Sequence, residues 1–167
     1  MGWNISKTVK CKDAYGKEYE VNADDLIQRI GVYAVIIKDG KILLTRQWGG
    51  YSIVGGGVDK GETLEEAFTR EVKEETGLEA TVGDIIYQTT TFFKKDVESN
   101  VYQSFQFYFT HDKLSGNLSS DDITESEKGY TDNGPEWVDI DKLNKIEFHH
   151  SVDLDTIMKA YNKFIAE

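Results

Sequence analysis

Cysteine occurs once in this chain, at Cys11. A single cysteine excludes an internal disulfide and fits a reducing cytoplasm. Basic residues are scarce beside acidic ones: 19 Lys and Arg stand against 30 Asp and Glu, for a formal net charge of −11. That deficit excludes the broad basic face with which a nucleic-acid-binding protein meets phosphates. No apolar run is long enough to span a bilayer, and no secretory signal pattern is seen. Internal repeats and low-complexity tracts are also missing. The expectation is a cytoplasmic chain with no membrane and no nucleic-acid partner. At 167 residues the length suits one domain with a useful core.

What is present reads as alternating strands and helices. Residues 7–12 and 17–21 predict a hairpin around Tyr15-Gly16, so residues 1–25 are expected to form an N-terminal extension and a candidate homodimer contact. Val32 to Ile37 reads as a buried strand. Asp39-Gly40 is a hairpin turn, and Lys41 to Arg46 is the returning strand. Tyr51–Val54 leads into a glycine-rich loop. Further strands are predicted near 79–91, 101–109 and 135–139. Leu154, Ile157, Met158, Tyr161, Phe164 and Ile165 fall at helical spacing, which predicts a helix over 152–165 with that stripe in the core.

A second helix is expected at 64–76. Thr63-Leu64-Glu65-Glu66 has the form of a capping box. Leu64, Phe68 and Val72 recur every four residues as an apolar stripe, and Gly77 stands where a left-handed C-terminal residue belongs. Glu71, Glu74 and Glu75 lie at i, i+3 and i+4 on this helix. Those positions share a face, with neighbouring Cβ atoms about 5–6 Å apart. Like charges at i, i+4 repel, and the end of a helix favours cations over carboxylates. A solvated Glu- and Lys-rich face is the plain alternative. The carboxylates border the apolar stripe, however, where a packed helix can hold oxygen ligands around a cation.

Directly upstream runs Gly55-Gly56-Gly57-Val58-Asp59-Lys60-Gly61-Glu62. Glycines let a backbone carbonyl or amide approach a ligand closely. Gly56, five residues, Glu62, seven residues and then Arg70-Glu71-Val72-Lys73-Glu74-Glu75-Thr76-Gly77-Leu78 together fill the pattern Gly-x5-Glu-x7-Arg-Glu-U-x-Glu-Glu-x-Gly-U, with U aliphatic. This resembles the Nudix box, over residues 56–78, and every fixed position is occupied. The surrounding pattern is compatible with a Nudix domain over roughly residues 28–165, within a single domain spanning 1–167.

The resemblance implies an α/β fold of the Nudix type, an α/β/α sandwich around a mixed β-sheet. It implies that Glu71, Glu74 and Glu75, with the Gly56 carbonyl, bind Mg²⁺, with Mn²⁺ as a substitute. Arg70 is implied to orient a box glutamate, and Glu62 to support the loop and helix. Glu71, Glu74 and Arg70 are the implied catalytic set. Val54 stands where many members have proline, a position that shapes the loop and does no chemistry. The expected reaction is hydrolysis of a phosphoanhydride bond in a nucleoside diphosphate or triphosphate derivative, by water attack at phosphorus. A divalent cation neutralises phosphate oxygens and acidifies bound water. The base is Glu71 or a loop carboxylate such as Glu125, Glu127 or Asp132. The alternative is a nucleotide-sensing module that binds without cleaving, and such modules usually lose box glutamates that this chain keeps.

Substrate contacts are expected outside the box. Arg46 suits a phosphate and Trp48 a base, with Tyr51 a third candidate contact beside them; cover for the sheet edge is the equal alternative for Trp48 and Tyr51, and Trp137 falls where many members carry a similar tryptophan. Phe92, Phe93, Lys94 and Lys95 could flank a nucleotide or simply end a solvated hairpin. His149-His150 reads as an exposed pair before the last helix. Members that cleave ADP-ribose tend to carry a proline soon after the box. The one proline here is Pro135, so a nucleoside triphosphate or related nucleotide is the expected substrate, oxidised dGTP among the candidates.

Overall fold

The structure is a computed structural model that describes residues 7–13, 15–47, 50–94, 100–121, 134–149 and 152–167. β1 (Thr8–Lys12) and β2 (Glu18–Asn22) form the N-terminal hairpin. β3 (Leu26–Ala34) follows, then β4 (Ile37–Lys38) and β5 (Lys41–Gln47). Between these last two, Asp39 and Gly40 have φ of 50° and 73°, the left-handed pair that a tight hairpin turn requires. β6 (Gly50–Gly57) leads through the glycine loop into α1 (Leu64–Thr76). Two long strands, β7 (Glu79–Lys94) and β8 (Val101–Ser115), pair antiparallel. β9 (Glu136–Asp139) and α2 (Leu154–Ala166) complete the order.

Among the described residues the sheet runs β2-β1-β7-β8-β3-β6-β5-β4, with β9 paired to β5. β3 runs parallel to β8, from Leu26 opposite Val101 to Ala34 opposite Phe109, and antiparallel to β6. The sheet is therefore mixed. Its two faces follow from the period-2 alternation of strands. Val32, Ala34, Leu43, Val54 and Phe109 pack with Ala67, Phe68 and Val72 of α1. Their strand neighbours Val35, Ile42, Leu44, Ile53 and Tyr108 pack on the other side with Ile157 of α2. The result is the helix–sheet–helix sandwich expected of the fold, with a core on each side of the sheet.

Helix α1 has the expected bounds, and its ends show why. The Thr63 hydroxyl accepts from Glu66 N, Glu66 Oε2 accepts from Thr63 N, and Gly77 adopts φ 72°. Strand bounds differ more. The strand read as 32–37 starts at Leu26 and ends at Ala34. Its first half escapes pattern reading because Ile27 and Ile30 are both exposed, at 45% each, so no clean alternation marks it. The parallel pairing with β8 holds it in place. β7 and β8 outrun the predicted 79–91 and 101–109 because each continues as the other's partner, Glu79 opposite Ser115 and Lys94 opposite Val101. α2 begins two residues later than read, where the Asp153 carboxylate accepts from Thr156 N.

Candidate active site

The acidic face of α1 is organised by Arg70. A guanidinium has five N–H donors in a rigid fork. Nε donates to Glu62 Oε1 (2.7 Å) and Nη2 to Glu62 Oε2 (2.9 Å), a two-point grip on one carboxylate. Nη2 also donates to the Gly57 carbonyl (2.8 Å). Nη1 donates to Glu71 Oε1 (2.8 Å) and Glu74 Oε2 (3.1 Å). Glu62 Oε2 accepts from Asp59 N as well (2.9 Å), which closes the glycine loop over the start of the helix. The Arg70 hydrogen bonds, with that Asp59 N–H second, hold the Glu62 carboxyl at about 2, well below its ordinary value of 4.5. The Glu62 hydrogen bonds above all, with Glu71 and Glu74 adding and burial opposing, raise the Arg70 pKa. Crowding among the carboxylates thus has an internal counterion, and repulsion alone does not call for a metal.

The better case for a metal is the cavity beside them. Glu71 and Glu75 are buried, at 4% and 5% exposure, and both line it with Gly55, Gly56 and Gly57. Glu75 is fixed at both oxygens: Oε1 accepts from Gln47 Nε2 (2.9 Å) and Oε2 from Gly55 N (2.8 Å). A Cβ added to Gly56 would fall 2.5 Å from Glu71 Oε1, so the carboxylate lies directly on the Gly56 backbone. The carboxylates of Glu71 and Glu75 and the glycine backbone on this wall offer hard oxygens, and Mg²⁺ needs only one or two carboxylates besides substrate phosphates and water. The residues fit such an ion. Glu74 does not line the cavity; it is drawn to Arg70 instead. Among the described residues no three His, Cys, Asp or Glu side chains close around one point.

The opposite wall comes from three adjacent strands. Tyr102, Ser104, Gln106 and Tyr108 of β8, Arg29 and Tyr33 of β3, and Thr91 and Phe93 of β7 all line it. Register explains the grouping. Arg29 is opposite Ser104 and Tyr33 opposite Tyr108, while Thr91 and Phe93 are opposite Ser104 and Tyr102. The Tyr33 and Tyr108 rings stack, with centroids 4.9 Å apart. Burial pushes the Tyr33 phenol up, against the opposing pull of the Arg29 guanidinium and its hydrogen bond; Glu71 and Glu75 add to the rise.

Of the candidate substrate contacts read from sequence, Arg46, Tyr51 and Trp137 lie away from this cavity. Arg46 Nη2 donates to the Tyr51 hydroxyl (2.8 Å) and its guanidinium lies 4.5 Å from that ring, while the Tyr51 hydroxyl donates to Glu136 Oε2 (2.9 Å). Neither lines the cavity. Trp137 lines a different, roomier cleft of ≈ 550 Å³ with Lys38, Lys41 and Leu118, which neither Glu71 nor Glu75 lines. Trp48, Lys95, His150, Glu125, Glu127 and Asp132 lie outside the described residues. His149, read as exposed, is buried at 6% and lines the cavity. The reason is backbone pairing: Tyr51 N donates to the Glu147 carbonyl and His149 N to the Tyr51 carbonyl. Gly50 permits that approach, since a Cβ there would lie 2.7 Å from His149 N. Phe93 is a cavity wall and not merely a hairpin end.

Comparison with known proteins adds to this geometry. The NUDIX domain model matches residues 27–159. The chain belongs to the Nudix family. It is a pyrophosphohydrolase by class. An ADP-ribose pyrophosphatase of Methanocaldococcus jannaschii is 32% identical over 143 residues, covering 81% of this chain and 73% of that protein. A nucleoside triphosphatase NudI of Enterobacter is 30% identical over 143 residues, covering 80% and 97%. Among solved structures, the MutT protein of Methanosarcina mazei Go1 superposes with a TM-score of 0.60 at 24% identity, over 83% of this chain and 96% of that one, a likeness of fold. The Nudix box residues are the ones gathered by Arg70 and the cavity. Sequence reading did not single out the cavity-lining residues Arg29, Tyr33, Ser104 and Gln106; for Ser104 and Gln106 the one signal was the aromatic richness of 101–109, and for Arg29 and Tyr33 there was none.

Proposed function

We propose that this Nudix protein hydrolyses a phosphoanhydride bond in a nucleoside diphosphate or triphosphate derivative, with Mg²⁺ held by Glu71, Glu75 and the Gly56 carbonyl and with Glu74 in the same acidic set. The observation that carries this reading is the pair of buried carboxylates facing a cavity across the glycine strand, each held by hydrogen bonds. When bound, the metal supplies charge neutralisation at the phosphates and a more acidic water. Glu75, gripped by Gln47 and Gly55, is the rigid ligand. Glu71, aligned by Arg70, takes the proton of the attacking water. Arg70 touches no substrate in this reading; it positions Glu71 and Glu74.

The absence of a proline after the box gives little reason to set ADP-ribose aside, because a relative similar over most of the chain carries that name. ADP-ribose and the nucleoside triphosphates therefore both belong in the assay. Phosphate or nucleotide release, followed by mass with and without Mg²⁺, is expected for at least one of them and is expected to vanish with chelator. Glu75→Gln, which keeps one hydrogen-bond acceptor but removes the charge, should lower kcat by about 10²-fold or more, the scale seen when a metal site loses a positioned group. Full turnover by that variant, or turnover indifferent to metal, sinks the assignment. Tight nucleotide binding with no turnover favours a sensing module.

A further inference from the structure

The wall opposite the carboxylates holds a buried polar group with no hydrogen-bond partner among the described residues. Ser104 is 2% exposed and lines the cavity, and among the described residues its Oγ has no hydrogen-bond partner. A buried hydroxyl left unmade costs about 1–3 kcal/mol, so something polar is expected to meet it. Beside it, Gln106 is held in one orientation. Its Oε1 accepts from the Tyr108 hydroxyl (3.2 Å) and its Nε2 donates to the Tyr33 hydroxyl (3.4 Å). One N–H and one lone pair of that amide remain for a ligand. The Tyr33 hydroxyl accepts from Gln106 Nε2, so its own proton is left to donate. These groups are neutral hydrogen-bonding partners. Around them stand flat apolar faces from Tyr102, Phe93 and the stacked pair Tyr33–Tyr108.

We propose that Ser104, Gln106 and Tyr33 form the base-reading wall of the site, taking the hydrogen-bonding edge of a nucleobase while the aromatic faces cover its ring. The inference rests on the reading of the cavity as a nucleotide-cleaving site and adds the residues that choose among nucleotides. A base fits better than a sugar. Aromatic walls favour a flat π-system, and an amide with one donor and one acceptor free matches the paired donor and acceptor of a base edge. The alternation of β8 puts both polar groups on one face, and parallel pairing brings Tyr33 alongside.

The test is equilibrium binding of non-hydrolysable α,β-methylene nucleotide analogues, in the presence of Mg²⁺, across four bases and a ribose analogue that lacks a base. The intact protein should hold its preferred base at least ~10-fold more tightly than the base-less analogue, a difference of about one good bidentate contact. Ser104→Ala and Tyr33→Phe should each weaken that base about 3–10-fold and narrow the spread among bases, with the base-less analogue unchanged. Ser104→Thr, which returns the hydroxyl, should recover most of the loss. Should Ser104→Ala fold poorly by thermal melting, Tyr33→Phe, which keeps the stacked ring, decides alone. Equal affinity for the base-less analogue, or an equal drop for every ligand, overturns the proposal. Hydrolysis of natural nucleotides is followed in parallel. Base-selective binding without any turnover sinks the hydrolase reading and leaves the wall standing; turnover with indifferent binding does the reverse.

Discussion

Arg70 has all five of its donors used, and four of the five bonds reach carboxylates. No lysine can do this, because an ammonium has three donors and no planar fork. The best-resolved consequence is at Glu62. Its carboxyl titrates near 4.5 when unperturbed and near 2 in the folded protein, chiefly because Arg70 grips the ionised form. Between those values the folded state binds fewer protons than the unfolded one. The stability this group contributes is therefore complete above about pH 4.5 and is lost as pH falls toward 2. Glu62→Gln should lower stability at pH 7 and flatten the decline between pH 5 and 2, read as urea midpoints across that range. Parallel curves for the two proteins mean that Arg70 does not hold Glu62 as described.

Strand β6 and helix α1 act as one unit, and two glycines show how closely they are fitted. Gly55 has φ 139°, and a Cβ there would lie 2.2 Å from the Val32 carbonyl, so any side chain breaks the β3–β6 ladder. Gly56 has no positive φ; its constraint is the Glu71 carboxylate, 2.5–2.7 Å from where a Cβ would stand. Gly56→Ala should thus keep the fold, with a melting temperature close to that of the parent, yet displace Glu71. A displacement of about 1 Å at a reacting group costs on the order of 10²-fold in rate. Normal turnover with Ala at this position means that Glu71 does not work from its observed place. This unit was legible in the sequence because every signal in it is local: the capping box, the four-residue apolar stripe and Gly77 all lie within one helix length. The opposite wall was not. Arg29 and Ser104 are far apart in the chain, and only the parallel register of β3 on β8 puts them side by side. Arg46 and Tyr51 lie away from this cavity for a related reason. Strand parity sends both to the α2 side, where they bind each other, and no local pattern says which face a strand residue will meet.

At the scale of the whole molecule, the N-terminal hairpin stands outside the 27–159 span that matches the family model, yet it reaches the site. β1 joins the sheet by pairing Lys12 with Phe93, and Phe93 walls the cavity. The hairpin is itself well anchored. Cys11 is fully buried, and the Asp13 carboxylate accepts from Tyr15 N, Lys17 N and the Tyr19 hydroxyl. Lys94, next to Phe93, places its ammonium 5.3 Å from the Tyr19 ring, a cation–π contact worth about 0.5–1 kcal/mol at an exposed site. The end of β7 therefore leans on residues that precede the family core. The carboxylates do not: Glu71 and Glu75 are held by Arg70, Gln47 and Gly55. Removing residues 1–25 should then separate the two walls of the site. KM should rise by several-fold as Phe93 loses its support, whereas kcat and its Mg²⁺ dependence should stay near those of the full chain. A truncated protein that melts well below the full chain but keeps its KM shows that the hairpin serves stability alone. Loss of kcat with KM unchanged shows instead that it reaches the carboxylates, against the contacts described.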